Sequence, residues 1–96
     1  MDPAKPDINI SDVVVSIAGR DLGEWFYVIA EDPIYLFLAN GKDRTLDKPK
    51  RKKRKHVQKV LRSETRVAEK LRSGNKVLNG ELRRDLAFLA RETTSE

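Results

Sequence analysis

The chain contains no cysteine, a single histidine and no long apolar run. The first absence removes disulfides, thiol catalysis and thiolate metal sites, and it fits a reducing cytoplasm. One histidine without cysteine is too little for a structural zinc site. The longest apolar stretches are a few residues, far short of a membrane span, and the polar, proline-rich start Met1-Asp2-Pro3-Ala4-Lys5-Pro6-Asp7 has no apolar signal core. The expectation is a soluble, cytoplasmic protein that does not meet a membrane. No glycine loop followed by Lys-Ser or Lys-Thr is present to cradle phosphates. The acidic neighbours Asp21 and Glu24, Glu31 and Asp32, and Asp43 and Asp47 read as loop or turn pairs, not as general acid–base couples. No nucleophile, base and orienting group stand out as a set. The residues therefore predict a protein that is not an enzyme, with no cofactor, no metal and no small-molecule substrate.

What the chain has in quantity is positive charge, concentrated in its middle. The 96 residues carry a formal net charge of +5, but residues 42–62 alone carry +9, so the remainder is at −4. Seven of the eight positions from Lys48 to Lys55 are cationic and the eighth is Pro49. A dense basic centre between mildly acidic flanks points to a polyanion site, not to evenly spread solubilising charge.

Around that centre the pattern changes from β to α. Asp12 to Ala18 is rich in β-branched residues, Trp25 to Ala30 reads as a second strand and Ile34 to Ala39 as a third. Gly19 and Gly23 bound a short loop, Glu31-Asp32-Pro33 supplies a turn, and Asn40-Gly41 is a strong turn signal with a short fourth strand predicted near Arg44. The basic run, residues 46–55, repels itself and reads as an extended loop. His56 to Val60 alternates polar and apolar, as a closing edge strand does. The strands are apolar on both faces: Val13 opposes Val14, and Trp25, Tyr27 and Ile29 oppose Phe26 and Val28. The second face needs a cover. The C-terminal part can supply it, with a helix capped by Ser63 that places Val67, Ala68 and Leu71 on one face and ends at Gly74. A second helix, capped by Asn79, repeats Leu82, Leu86 and Leu89 at i, i+4 and i+7.

The stretch Val13-Val14-Val15-Ser16-Ile17-Ala18-Gly19-Arg20-Asp21-Leu22-Gly23, followed by the aromatic-aliphatic strand to Ala30, the turn at Gly41 and the run Lys48-Pro49-Lys50, resembles a KOW motif. It is most similar to the variant found in a large-subunit ribosomal protein of archaea and eukaryotes and in short bacterial KOW-domain proteins. The resemblance spans roughly residues 10–60. It departs from the usual pattern at Leu22, where many KOW motifs are basic, and near Phe26, where many have a third glycine. The resemblance implies a mainly β fold with α elements: a small SH3-like barrel over residues 11–60, including the basic loop 46–55. A lead-in, residues 1–10, precedes it and a helical extension, residues 61–96, follows. It also implies binding of structured RNA, ribosomal RNA of the large subunit foremost, with the loop residues Gly19, Arg20, Asp21 and Gly23 and the segment Lys48 to Lys55 at the contact.

RNA asks a surface for cations along its phosphates and for donors or flat groups at exposed bases and riboses. The expected contacts are Lys42, Arg44, Lys48, Lys50, Arg51, Lys52, Lys53, Arg54, Lys55 and Lys59, with His56 either an ordinary strand residue, the reading that fits best, or a neutral imidazole beside a phosphate. The run supplies affinity and Arg20, in its short loop, orientation. Arg51 and Arg54 add planar groups that grip a phosphate with two bonds or stack on a base. Trp25, Tyr27, Tyr35 and Phe37 are candidates for stacking, against a core role that suits Phe26 and Phe37 best. Two other functions use the same features: a protein–protein adaptor working through the barrel and the leucine face of the last helix, and a duplex DNA binder, since phosphate contacts carry no sequence information. A nuclear localisation signal would account for the basic run alone. A monomer is expected.

Overall fold

A computed structural model describes residues 7–94. Five strands, β1 (Asp12–Ser16), β2 (Trp25–Glu31), β3 (Tyr35–Ala39), β4 (Lys50–Lys53) and β5 (Val57–Arg62), precede two helices, α1 (Arg66–Ser73) and α2 (Asn79–Thr94). The strands form one antiparallel sheet in the order β4-β3-β2-β1-β5. The mainly β fold with a helical extension is therefore present. The fourth strand lies elsewhere than expected: it is inside the basic run, while Arg44 belongs to the turn after β3, where its N–H bonds the Asn40 side chain at 3.0 Å.

β4 and β5 lie at opposite edges of the sheet, yet only one 3-10 turn, Arg54–His56, separates them. In a flat sheet the outer strands would stand about 19 Å apart, at roughly 4.8 Å per neighbour. The four Cα steps from Lys53 to Val57 reach at most about 14 Å. The sheet must therefore roll up so that its edges approach. The turn holds both: the Arg54 N–H donates to Ile34 O beside β3, and His56 O accepts from the Ile17 N–H beside β1. Register shifts that leave Ile29 of β2 and Val60 of β5 unmatched add the local bend that rolling needs.

Rolling gives the sheet an inside. Val14, Phe26, Val28, Leu36, Leu38 and Val57 cluster there with Ile8, and all are buried. Ile8 comes from the stretch expected to be a lead-in; residues 1–6 lie outside the described residues. The outer face carries Val13, Tyr27 and Ala39, which pack against Val67 and Ala68 of α1 and Leu82 and Leu86 of α2. The division of Val13 from Val14 and of Tyr27 from Phe26 is the one the alternation predicts, and the helices are the cover that the second face requires.

The helix ends differ in detail from expectation. Thr65, not Ser63, caps α1, accepting from the Ala68 N–H at 3.3 Å, and Gly74 ends it in the left-handed conformation. Ser63 lies just after β5, buried, with its hydroxyl meeting that of Tyr27. Asn79 does not cap α2: its Oδ1 accepts from the Leu46 N–H, while Glu81 reaches back to the Leu78 N–H at 3.0 Å, as half of a capping box. Gly41 fits under this helix start because it lacks a side chain. A Cβ there would lie 2.2 Å from the Asn79 carbonyl oxygen, and its φ of +77° suits glycine alone. Among the described residues no helix is long and apolar enough to cross a membrane.

A polar knot ties the helices to the sheet. The Tyr27 hydroxyl donates to Asp85 of α2 and meets Ser63 Oγ at 2.8 Å, and Thr65 Oγ1 donates to the same Asp85 oxygen at 2.9 Å. Burial, reinforced by the Asp85 carboxylate, pushes the Tyr27 phenol up to about 12. Replacing Tyr27 with Phe leaves the half-buried Asp85 without its main donor and should cost about 2 kcal/mol in urea unfolding. Because the folded phenol holds its proton more tightly than the unfolded one, wild-type stability from this group is full below pH 10 and fades toward pH 12. The gap between wild type and Tyr27→Phe should narrow across that window.

Candidate nucleic-acid interface

The loop between β1 and β2 turns on Gly19 and Gly23, both at positive φ (+85° and +89°). It folds back over the basic strand and is fastened there by Asp21. The Asp21 carboxylate accepts from Ser16 Oγ at 2.7 Å and from Lys52 Nζ at 2.8 Å through one oxygen, and faces Lys50 Nζ at 2.8 Å through the other. Lys52 Nζ also donates to Ala18 O at 2.8 Å. Two segments about thirty residues apart in sequence thus become one surface.

Burial works to raise the Asp21 pKa, but the hydrogen bonds from Lys50, Lys52 and Ser16 outweigh it and hold the carboxyl well below the usual carboxylate range. Asp21 is therefore an anion that serves the fold. It is buried with both oxygens engaged, and so is not free to meet RNA as the KOW resemblance implies.

Strand geometry sorts the rest of the run by alternation. Lys50 and Lys52 point with Leu38 and Leu36 toward the inner face of the sheet and end at Asp21. Arg54 is also taken up within the fold: its guanidinium donates to Asp32 O, Ile8 O and Glu31 Oε1 at 2.9, 3.1 and 2.7 Å. Lys59 pairs with buried Asp12 at 3.2 Å and reaches Asp7 O at 3.3 Å. His56 is half-buried, with its backbone carbonyl in the sheet.

Arg51 and Lys53 point the other way and are exposed. They stand opposite Phe37 and Tyr35 of β3, and the Arg51 guanidinium carbon lies over the Tyr35 ring, 4.5 Å from its centroid. Lys48, Lys55 and Arg20 are exposed as well. Lys42 and Arg44 are exposed on the Asn40–Arg44 turn, where Gly41 O accepts from Arg83 of α2 at 3.3 Å.

Of the aromatic candidates, Tyr27 is buried and Trp25 packs into the cluster beneath the helices. Tyr35 and Phe37 are half-buried and are not part of that cluster. Phe37, expected in the core, thus belongs to the cationic face.

Sequence reasoning treated the run as uniform and missed the partition into inward and outward cations. No signal within the run separates them, because residues 50–55 are all cationic, and only the pairing of β4 with β3 does so. The chain matches no protein-family model and no curated protein.

Asp21→Ala leaves buried Lys52 without its anion and should cost about 3 kcal/mol in chemical unfolding. Since the folded carboxyl titrates below its ordinary value, the stability it gives is full above about pH 4 and drains away as pH falls further. In acid titrations followed by circular dichroism, the variant should lose less stability than wild type below pH 4.

Proposed function

We propose that this chain is a binding module for structured RNA and carries out no catalytic step. The observation that carries the reading is the set of exposed cations, Arg51 and Lys53 on one side of β4 and Lys48, Lys55 and Arg20 elsewhere on the surface, left over after the fold has paired Lys50 and Lys52 with Asp21 and Arg54 with Glu31. Phosphates are its natural complement, because each cation placed against one releases condensed counterions. Arg20 sits in a loop that Asp21 fastens to β4, so it loses little freedom on binding and sets orientation. The resemblance of residues 10–60 to KOW motifs makes ribosomal RNA of the large subunit the first RNA to try, and a site on cytoplasmic ribosomes the place to look.

With about four or five outward cations available, log affinity should fall with log salt with a slope of about −3 on the single-strand coefficient. Replacing Lys48, Lys53 and Lys55 with serine removes three of them and should flatten the slope by about 2, measured by filter binding to a fragment of large-subunit RNA. Replacing Lys52 with methionine should leave the slope unchanged, since that ammonium points into the fold. Co-sedimentation with separated ribosomal subunits across a salt series tests the ribosomal assignment. Wild type should track the large subunit and the triple serine variant should not. Binding to RNA fragments with no sedimentation on either subunit would turn the search toward a different RNA.

A further inference from the structure

Cations alone do not explain what lies between them on this face. Tyr35 and Phe37 are two residues apart on β3, hence on the same side of the sheet and about 6.8 Å apart along it. Arg51 stands opposite Phe37 and leans diagonally across to cover Tyr35, while Lys53 stands opposite Tyr35. Both rings are half-buried and lie outside the helix-covered cluster that takes in Trp25 and Ile29. A purely solvated charged strand needs no aromatic partners. A purely structural aromatic pair would be expected to lie under the helices, where Tyr27 and Trp25 go. What stands here is a partly desolvated surface of two rings and a guanidinium, with Lys53 beside them.

We propose that Tyr35 and Arg51, with Phe37 beside them, form a stacking platform for unpaired RNA bases, so that the protein prefers loops, bulges or single-stranded segments to continuous duplex. The proposal rests on the RNA-binding reading above and narrows its substrate class. A base has a π-face whatever its identity, so such a platform selects unpaired nucleotides with little sequence preference. In an A-form helix the bases are already stacked on one another, and only phosphates, riboses and the shallow groove are offered. Arg51 is suited to this task where lysine is not. Its guanidinium is planar, it lies over the Tyr35 ring, and it can receive a base on its outer side while its charge stays near the phosphate. Lys53, opposite Tyr35, is placed to hold that nucleotide's phosphate.

The test uses two RNA probes with equal numbers of phosphates, a hairpin with an unpaired loop and a blunt duplex, each carrying 2-aminopurine, the hairpin in its loop. Affinity is measured by anisotropy and stacking by quenching. Wild type should prefer the hairpin and quench its loop fluorophore. Tyr35→Ile, which keeps a strand-forming side chain, should weaken hairpin binding roughly tenfold. It should also abolish quenching, while duplex affinity and the salt slope stay as they were. Tyr35→Phe should retain hairpin binding, because the ring remains. Arg51→Lys keeps the charge and loses the plane, and should reduce quenching more than it reduces duplex affinity. It decides the matter if Tyr35→Ile proves unstable on melting. Equal losses on both probes, or no loss on either with wild type binding both, would overturn the platform and leave RNA binding standing. Failure of wild type to bind either probe at low salt would remove the RNA reading and the platform with it.

Discussion

A single carboxylate allows a lysine-rich segment to be a strand. Without Asp21, the inward positions of β4 would bring two ammonium groups to the inner side of the sheet with no counter-charge, an arrangement that costs several kcal/mol. With it, Lys50 and Lys52 become fasteners, joining the β1–β2 loop to the sheet edge. The loop's position, the placing of Arg20 and the outward aim of Arg51 and Lys53 all follow. Ser16 takes part from the end of β1, so the three segments that meet here are locked by one anion and its donors.

Much of the architecture is legible in the sequence because it rests on local pattern. Alternation in β1 and β2 assigns Val13 and Val14, and Phe26 and Tyr27, to opposite faces, and the leucine period in α2 identifies the side that meets the sheet. What is not legible depends on partners far away in the chain. Lys50 to Lys53 reads as a self-repelling loop because local charge dominates the pattern, and Asp21, which reverses that balance, lies about thirty residues earlier. The cap of α1 is Thr65 and not Ser63 because the helix begins at Arg66, and the Ser63 hydroxyl is instead in contact with Tyr27, 36 positions away. The candidate site divides in the same manner. The density of cations is plain in the sequence, but which of them face outward is decided by pairing with β3.

The two halves of the chain depend on each other in a way that separate readings of barrel and helices do not suggest. Tyr27 belongs to β2, yet its hydroxyl partners come from the β5–α1 junction and from α2. Gly41 belongs to the turn after β3, yet its lack of a side chain is required by the first turn of α2. Arg72 of α1 donates to Ser11 Oγ and to Ser63 O, tying the helix to the residue just before β1. The helical extension is thus part of the β domain's own construction, and the outer face that stays free of it is the part bearing Tyr35, Phe37, Arg51 and Lys53.

The rolled sheet also has an unfinished border. β4 is an outermost strand, and such a strand offers unpaired backbone groups to any other extended chain. Here the border is studded with lysine and arginine, so a second copy approaching edge to edge would bring like charges together. The cations of β4 therefore oppose edge-to-edge pairing of two copies. A bound polyanion would neutralise that repulsion and, at the same time, occupy the ground on which a second strand would have to land.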